Sequence, residues 1–297
     1  MTTAQPEGAS SGGPTVLRIL LGTQLRKLRE DKGITREAAG YVIRSSESKI
    51  SRMELGRVSF KERDVADLLT LYGLADEEER TALLTLARDA NTPGWWHRAS
   101  DILPSWFQPY VGLESAATII RTYELQFVPG LLQTADYARA VIRIAHGNAQ
   151  PSELERRVNV RLERQKLLTR SDPPQLWAVI DEGALRRLVG GPDVMRTQIA
   201  ALIDATKLPN VQLQVMPFDF GGHAGAGGSF SILRFPDQEL PDIVYVEQLA
   251  SALYLDKRED VELYLEAMER LAVEADPPAD TAETLGQILG ELDALPA

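Results

Sequence analysis

The sequence predicts two domains of different class: an all-α N-terminal domain of about five short helices, and an α+β C-terminal domain with a largely antiparallel sheet. Three observations predict it. At 297 residues the chain is long for one compact core and comfortable for two. Apolar residues up to about position 89 recur at helical spacing, whereas strand-like runs begin near residue 118. Charge also changes sign: residues 17–63 hold 12 Lys+Arg against 6 Asp+Glu, a net of +6, so with −11 overall the remainder carries −17.

The opening residues 1–16 are small and polar, with no basic or apolar segment of a secretory signal, and read as a disordered tail. Residues 17–31 put Leu17, Leu21, Leu25 and Leu28 on one helical stripe, and Gly33 stops that helix. Thr35 and Glu37 open a second short helix, a turn follows near Arg44-Ser45, and a third helix covers 46–53 up to Gly56. Helices over 61–72 and 76–89 complete a domain at 17–90.

An aromatic linker spans 91–110, opened by Asn91-Thr-Pro-Gly94. Beyond it, strands are expected at 118–124, 176–181, 210–216, 230–235 and 242–248, and helices at 133–145, 152–169, 192–206 and 258–274. These make a regulatory and dimerisation domain over 111–276, followed by a C-terminal amphipathic segment over 277–297.

The window most informative about function is 34–57, ITREAAGYVIRSSESKISRMELGR. Small residues, Ala39 and Gly40, fall where two helices must cross, and Ile43, Ile50 and Met53 can pin the second helix from behind. The outward positions Glu47, Ser48, Ser51 and Arg52 form a polar face that no core requires. This is the pattern of a helix-turn-helix, whose second helix enters the DNA major groove. Arg52 can pair bidentately with guanine, and Glu47 can accept from cytosine N4 or simply offset the helix dipole. Ser46, Lys49, Arg57 and Lys61 are read as phosphate contacts, which outnumber base contacts in such interfaces.

The window resembles the Cro and phage-repressor type of helix-turn-helix, the xenobiotic-response-element family, without a gap from Ile34 to Gly56. The resemblance implies base reading by Glu47, Ser48 and Arg52, a phosphate anchor at Arg36, and a buried ion pair between Arg29 and Glu54. Arg44 departs from that family, which often has glycine in the turn. A left-handed backbone strains an arginine, so a locally different turn is expected there. The stretches 108–142, 178–199, 208–225 and 242–249 resemble actinobacterial antitoxin-like regulators, which fuse such a head to an uncharacterised C-terminal domain. That resemblance implies transcriptional control, with a small partner protein encoded nearby.

Little in the body points to catalysis. The glycine-rich run 221–228 lacks the Lys-Ser/Thr end of a phosphate-binding loop and precedes a strand. The three histidines, His97, His146 and His223, lack metal-ligand spacing, and there is no cysteine. Asp181 and Glu182 are adjacent at a strand end and point apart. Residues 152–169 read as a solvated helix with pairs such as Glu153–Arg157. Trp95, Trp96, Trp106, Tyr123, Phe127 and Trp177 read first as core, with a ligand or partner surface as the alternative.

The expectation is therefore a sequence-specific regulator of transcription, not an enzyme, with no cofactor and no metal. Its partner is a double-stranded operator with two half-sites, met by a homodimer whose contact lies in the body, where an effector of unknown identity acts. No membrane contact is expected, and the place is the cytoplasm, at the nucleoid. The alternative is an antitoxin-type protein that sequesters a small partner and autoregulates its operon.

Overall fold

The computed structural model describes residues 13–236 and 240–294. The chain divides into two compact units. The first holds the described residues up to His97 together with Pro236 and Leu240; the second holds Arg98–Phe235 and the described residues from Pro241 onward. The division falls inside the aromatic stretch 91–110, which is folded: it contains a 3-10 turn, Trp95–Ala99, and buries Trp96, Ile102 and Tyr110.

The first unit is five helices: α1 (Pro14–Asp31), α2 (Arg36–Val42), α3 (Glu47–Glu54), α4 (Glu62–Leu71) and α5 (Glu77–Asp89). Its core is the apolar stripe of each helix, with Leu21, Leu25, Ile50, Met53, Val65, Leu68 and Leu69 almost fully buried. Local chemistry fixes the boundaries. Thr35, Ser46 and Asp76 cap α2, α3 and α5 by accepting backbone N–H bonds through their side chains. The tail expected over 1–16 falls on residues outside the described set as far as residue 12, but Pro14 at the first helical turn starts α1 early and buries Thr15 and Val16.

The second unit is a six-stranded sheet with helices on both faces. Its strands are β1 (Ile119–Glu124), β2 (Gln175–Asp181), β3 (Val211–Met216), β4 (Phe230–Arg234), β5 (Ile243–Glu247) and β6 (Ala252–Leu255). They lie in the order β3-β2-β1-β4-β5-β6. Three pairings, β1/β4, β4/β5 and β5/β6, are antiparallel; β1/β2 and β2/β3 are parallel. The sheet is largely antiparallel, as the sequence predicts, with a parallel portion at β1, β2 and β3. Parallel neighbours need helical crossovers. Helices α7 (Ala135–Ala145) and α8 (Pro151–Gln165) join β1 to β2, and α9 (Glu182–Arg186) and α10 (Pro192–Ala205) join β2 to β3.

Helix α6 (Gln108–Ala116) precedes the sheet, and α11 (Arg258–Glu274) and α12 (Thr281–Asp293) follow it. Val261, Met268 and Leu271 of α11 pack on Tyr123, Val179, Ile232, Val244 and Val246. On the opposite face Tyr110 of α6 stacks on Tyr245 at 4.2 Å. There Arg164 of α8 makes a bidentate, buried pair with Glu114 of α6, 2.7 Å on each side, with its guanidinium over Phe107 and Tyr110. The 152–169 helix is therefore only partly the solvated helix expected. Glu153–Arg157 is a surface pair at 2.7 Å, but Arg164 is part of the core. Within the amphipathic segment expected at 277–297, Thr281–Asp293 form α12, packed on α10 and β3; residues 295–297 lie outside the described set.

Candidate nucleic-acid interface

The geometry of α2 and α3 begins at the turn between them. Arg44 N–H bonds to the Tyr41 carbonyl at 3.1 Å and Ser45 N–H to the Gly40 carbonyl at 2.8 Å, the paired closure that places the intervening residue in the left-handed region. Arg44 takes it, at φ +53, the sole non-glycine residue with positive φ among the described residues. The locally different turn expected at Arg44 is not observed; the left-handed conformation is kept and the arginine bears the strain. Two small residues make the crossing possible. A Cβ on Gly40 would lie 2.9 Å from the Ser45 carbonyl oxygen, and one on Gly22 of α1 would lie 2.5 Å from that of Met53. The same closure ends α3, where Gly56 sits at φ +62 and Arg57 N–H reaches the Arg52 carbonyl at 2.8 Å.

Helix α3 is pinned from behind by Ile50 and Met53, each about 1% exposed. Its opposite face presents Glu47, Ser48 and Arg52 to solvent, with Ser51 half-buried beside them. Ser46 is exposed and caps the helix, accepting from Lys49 N–H at 3.3 Å. Arg52 is exposed and donates its Nε–H to the Ser48 carbonyl of its own helix at 3.3 Å.

Beneath this face lies an ionic cluster centred on Glu54. Arg29 Nε is 2.5 Å from Glu54 Oε1 and its Nη2 3.1 Å from Oε2; both side chains are buried, and Arg29 also donates to the Ile34 carbonyl at 2.8 Å. Hydrogen bonding to Glu54 raises the Arg29 pKa above its ordinary value. Arg36 joins from α2, its Nε 2.9 Å from Glu54 Oε2, with a third of its side chain in solvent. One carboxylate thus orients two arginines, one structural and one at the surface. Lys49, expected at a phosphate, is half-buried and donates to Asp64 of α4 at 2.6 Å. Arg57 and Lys61 are exposed on the α3–α4 connection. The sequence signals missed Asp64 and the second partner of Glu54, because neither follows from spacing along one helix.

Of the aromatic residues singled out, Trp106, Tyr123, Phe127 and Trp177 belong to the second unit and Trp95 and Trp96 to the first. Tyr123 is buried in the α11-side core, edge-on to His223, and half-buried Trp177 donates its indole N–H to Gln214 at 2.7 Å. Trp106 and Phe127 are half-buried; in the first unit Trp95 is exposed and Trp96 is buried. A shallow cleft of about 490 Å³ lies at the carboxyl ends of the parallel strands, lined by Leu125, Gln126, Asp181, Gly183, Arg186, Arg187 and Phe218, none of them in that set. His223 of the glycine-rich loop accepts at Nδ1 from Gly225 N–H at 3.1 Å and sets Nε2 3.4 Å from the Tyr123 hydroxyl and 3.7 Å from Asp181. Both ring nitrogens are engaged. Asp181 itself caps α9 at Gly183 N–H, 2.8 Å away.

Residues 107–287, more than half of the chain, match the family model described as Domain of unknown function (DUF5753). Residues 20–83 match a model described as Helix-turn-helix domain, the mark of a DNA-binding regulator, and these residues contain α2 and α3. No curated protein and no solved structure matches the chain. No helix among the described residues is long and apolar enough to cross a membrane.

Proposed function

The chain belongs to the DUF5753 family, and we infer that it is a sequence-specific reader of double-stranded DNA that regulates transcription. One observation carries this reading: α3 is held from behind by Ile50, Met53 and the Glu54 cluster, yet leaves Glu47, Ser48 and Arg52 exposed, with Arg52 bonded only to the Ser48 carbonyl of its own helix among the described residues. A structural helix has no need of such a face. With α3 in the major groove, Arg52 reads guanine through two donors and Glu47 and Ser48 read the adjoining base edges. Arg36, Ser46, Arg57 and Lys61 surround this face and serve as phosphate anchors, with Arg36 aimed by Glu54.

The operator has two half-sites, met by a homodimer, and the family domain supplies the control through an effector or partner bound there. The body is not a catalytic centre on this reading: the cluster that most resembles one, Tyr123–Asp181–His223, has the imidazole engaged at both nitrogens and a carboxylate committed to a helix cap.

The test is selection of bound fragments from a random duplex library with the full chain, followed by titration of Arg52→Ala against the selected and a scrambled duplex. Loss of a base reader lowers affinity for the selected duplex by about 1–3 kcal/mol and relaxes one position. Equal losses on both duplexes, or no enriched sequence at all, would sink the reading.

A further inference from the structure

The carboxyl ends of β1, β2 and β3 lie side by side, and in open sheets the crevice beyond such ends is where ligands bind. The cleft of about 490 Å³ opens there, a volume that suits a small organic molecule. Its walls come from three separate connections. Leu125 follows β1, Gly183 and Arg187 lie in and just after α9, and Phe218 follows β3.

Two large apolar side chains line this cleft and remain open to water: Leu125 is 42% exposed and Phe218 58%. Phe218 is nonetheless tied down. Its backbone N–H donates to the Glu182 carboxylate at 2.7 Å. The edge of its ring lies so near Gly183 that a Cβ added there would be 3.5 Å from Cε1. An aromatic face held in place and left in water offers a stacking surface that a second flat ring would cover.

The charges of the lining are committed unequally. Arg186 is taken up by Glu182 and Glu291. The Arg187 side chain, next to it, is exposed and has no ion pair or hydrogen bond among the described residues. Asp181 gives one oxygen to Gly183 N–H at 2.8 Å, while its other oxygen has only the Tyr123 hydroxyl at 3.5 Å and His223 at 3.7 Å. That oxygen still accepts from a ligand hydroxyl or N–H, and its charge disfavours a ligand with a second negative group. The lining therefore suits one acid group, matched to Arg187, on a flat apolar body.

We propose that this cleft is the effector site of the second unit and takes a flat aromatic molecule bearing a single acid group, of the aromatic carboxylic or sulfonic acid class. Phe218 stacks on the ring, Leu125 covers apolar surface beside it, and Arg187 pairs with the acid. The site deepens the regulatory reading above and rests on it only for the role of effector; its occupancy is measured without DNA.

The probe is anilinonaphthalene sulfonate, a fluorescent aromatic monoanion, with phenylnaphthylamine as its counterpart lacking the sulfonate. Both are titrated into the full chain and into variants whose circular dichroism matches it. Arg187→Glu is expected to weaken binding of the sulfonate by about tenfold or more and to leave the neutral dye within about twofold. Phe218→Ala weakens both. Leu263→Ala, which trims an exposed leucine on α11 outside the cleft, changes neither. No binding of the sulfonate, binding indifferent to Arg187→Glu and Phe218→Ala, or an equal loss with Leu263→Ala overturns the site. A neutral dye that Arg187→Glu weakens as much as the sulfonate overturns the pairing of Arg187 with an acid. The two readings fail separately: a chain that binds the sulfonate in this pattern but enriches no duplex loses the regulatory role and keeps the site, and one that enriches an operator without binding the sulfonate does the reverse.

Discussion

Lys49 Nζ on α3 lies 2.6 Å from Asp64 Oδ2 on α4, a pair with both side chains largely withdrawn from water. A lysine at this position faces DNA in sequence terms, yet its charge is spent on fixing α3 against α4. Lys49→Ala is therefore expected to change the salt dependence of DNA binding little, whereas Arg57→Ala reduces the slope of log K against log salt by about one phosphate contact. Titrations between low and moderate salt decide it. A slope that falls as much for Lys49→Ala as for Arg57→Ala would return Lys49 to the phosphates.

Glu54 binds two arginines, and the two have different duties. Arg29 is buried, so removing it alone strands a carboxylate that Arg36 only half satisfies from the surface. Breaking one side of a buried pair costs about 3–5 kcal/mol, while replacing both sides with apolar groups is often near neutral. Arg29→Met in the full chain should then accelerate amide hydrogen exchange throughout α1–α5 more than Arg29→Met with Glu54→Leu does. The double variant should still bind DNA more weakly than the parent, because Arg36 loses the carboxylate that aims it. Equal or faster exchange in the double variant would mean that the pair is not acting as a buried one.

The head was legible in the sequence because its signals are local. Caps at Thr35, Ser46 and Asp76, stops at Gly33 and Gly56, and apolar stripes at helical spacing each declare themselves within a few residues. The body's longer elements were legible for the same reason. What escaped was set by distant partners. Helix α6 hides in an aromatic, proline-containing stretch, and its Glu114 is buried only because Arg164, fifty residues on, meets it. Strand β6 has four residues and takes its identity from pairing with β5. The parallel half of the sheet follows from how two crossovers close, which no window of sequence displays. At the candidate site the outward polar face could be read, but the engagement of Lys49 by Asp64 could not.

Arg44 offers a gain in stability. A left-handed residue with a Cβ costs about 1–2 kcal/mol, while glycine gives back part of this through a more flexible unfolded chain. Arg44→Gly should stabilise the head by about 0.5–1 kcal/mol, read as slower amide exchange in α2 and α3. Its side chain is exposed beside the α3 N-terminus, so operator affinity measured in parallel shows whether the arginine is kept for DNA. Slower exchange with weaker binding would mean that it is; faster exchange would show that the side chain contributes to the fold.

Glu124 gives the body a pH dependence of unusual sign. It ends β1 where burial, together with the charge of Glu247, pushes its carboxyl up to about 7 from an ordinary 4.5, against the opposing pull of Ser229 and Arg161. The unfolded chain releases this proton near pH 4.5 and the native chain only near pH 7, so between those values the native state binds more protons and stability falls as pH rises. Paired carboxylates such as Glu155, held low by Arg139, work in the opposite direction at lower pH. The contribution of Glu124 is therefore isolated by difference. Glu124→Gln keeps the shape and removes the titration, and should gain about 1–3 kcal/mol on the parent chain between pH 5 and pH 8, with most of the change below pH 7. Urea unfolding of both chains across that range is the measurement. Parallel stability curves for the two would show that the ionised Glu124 is accommodated without cost, and that the cluster formed with Glu247 and Arg161 is open to water.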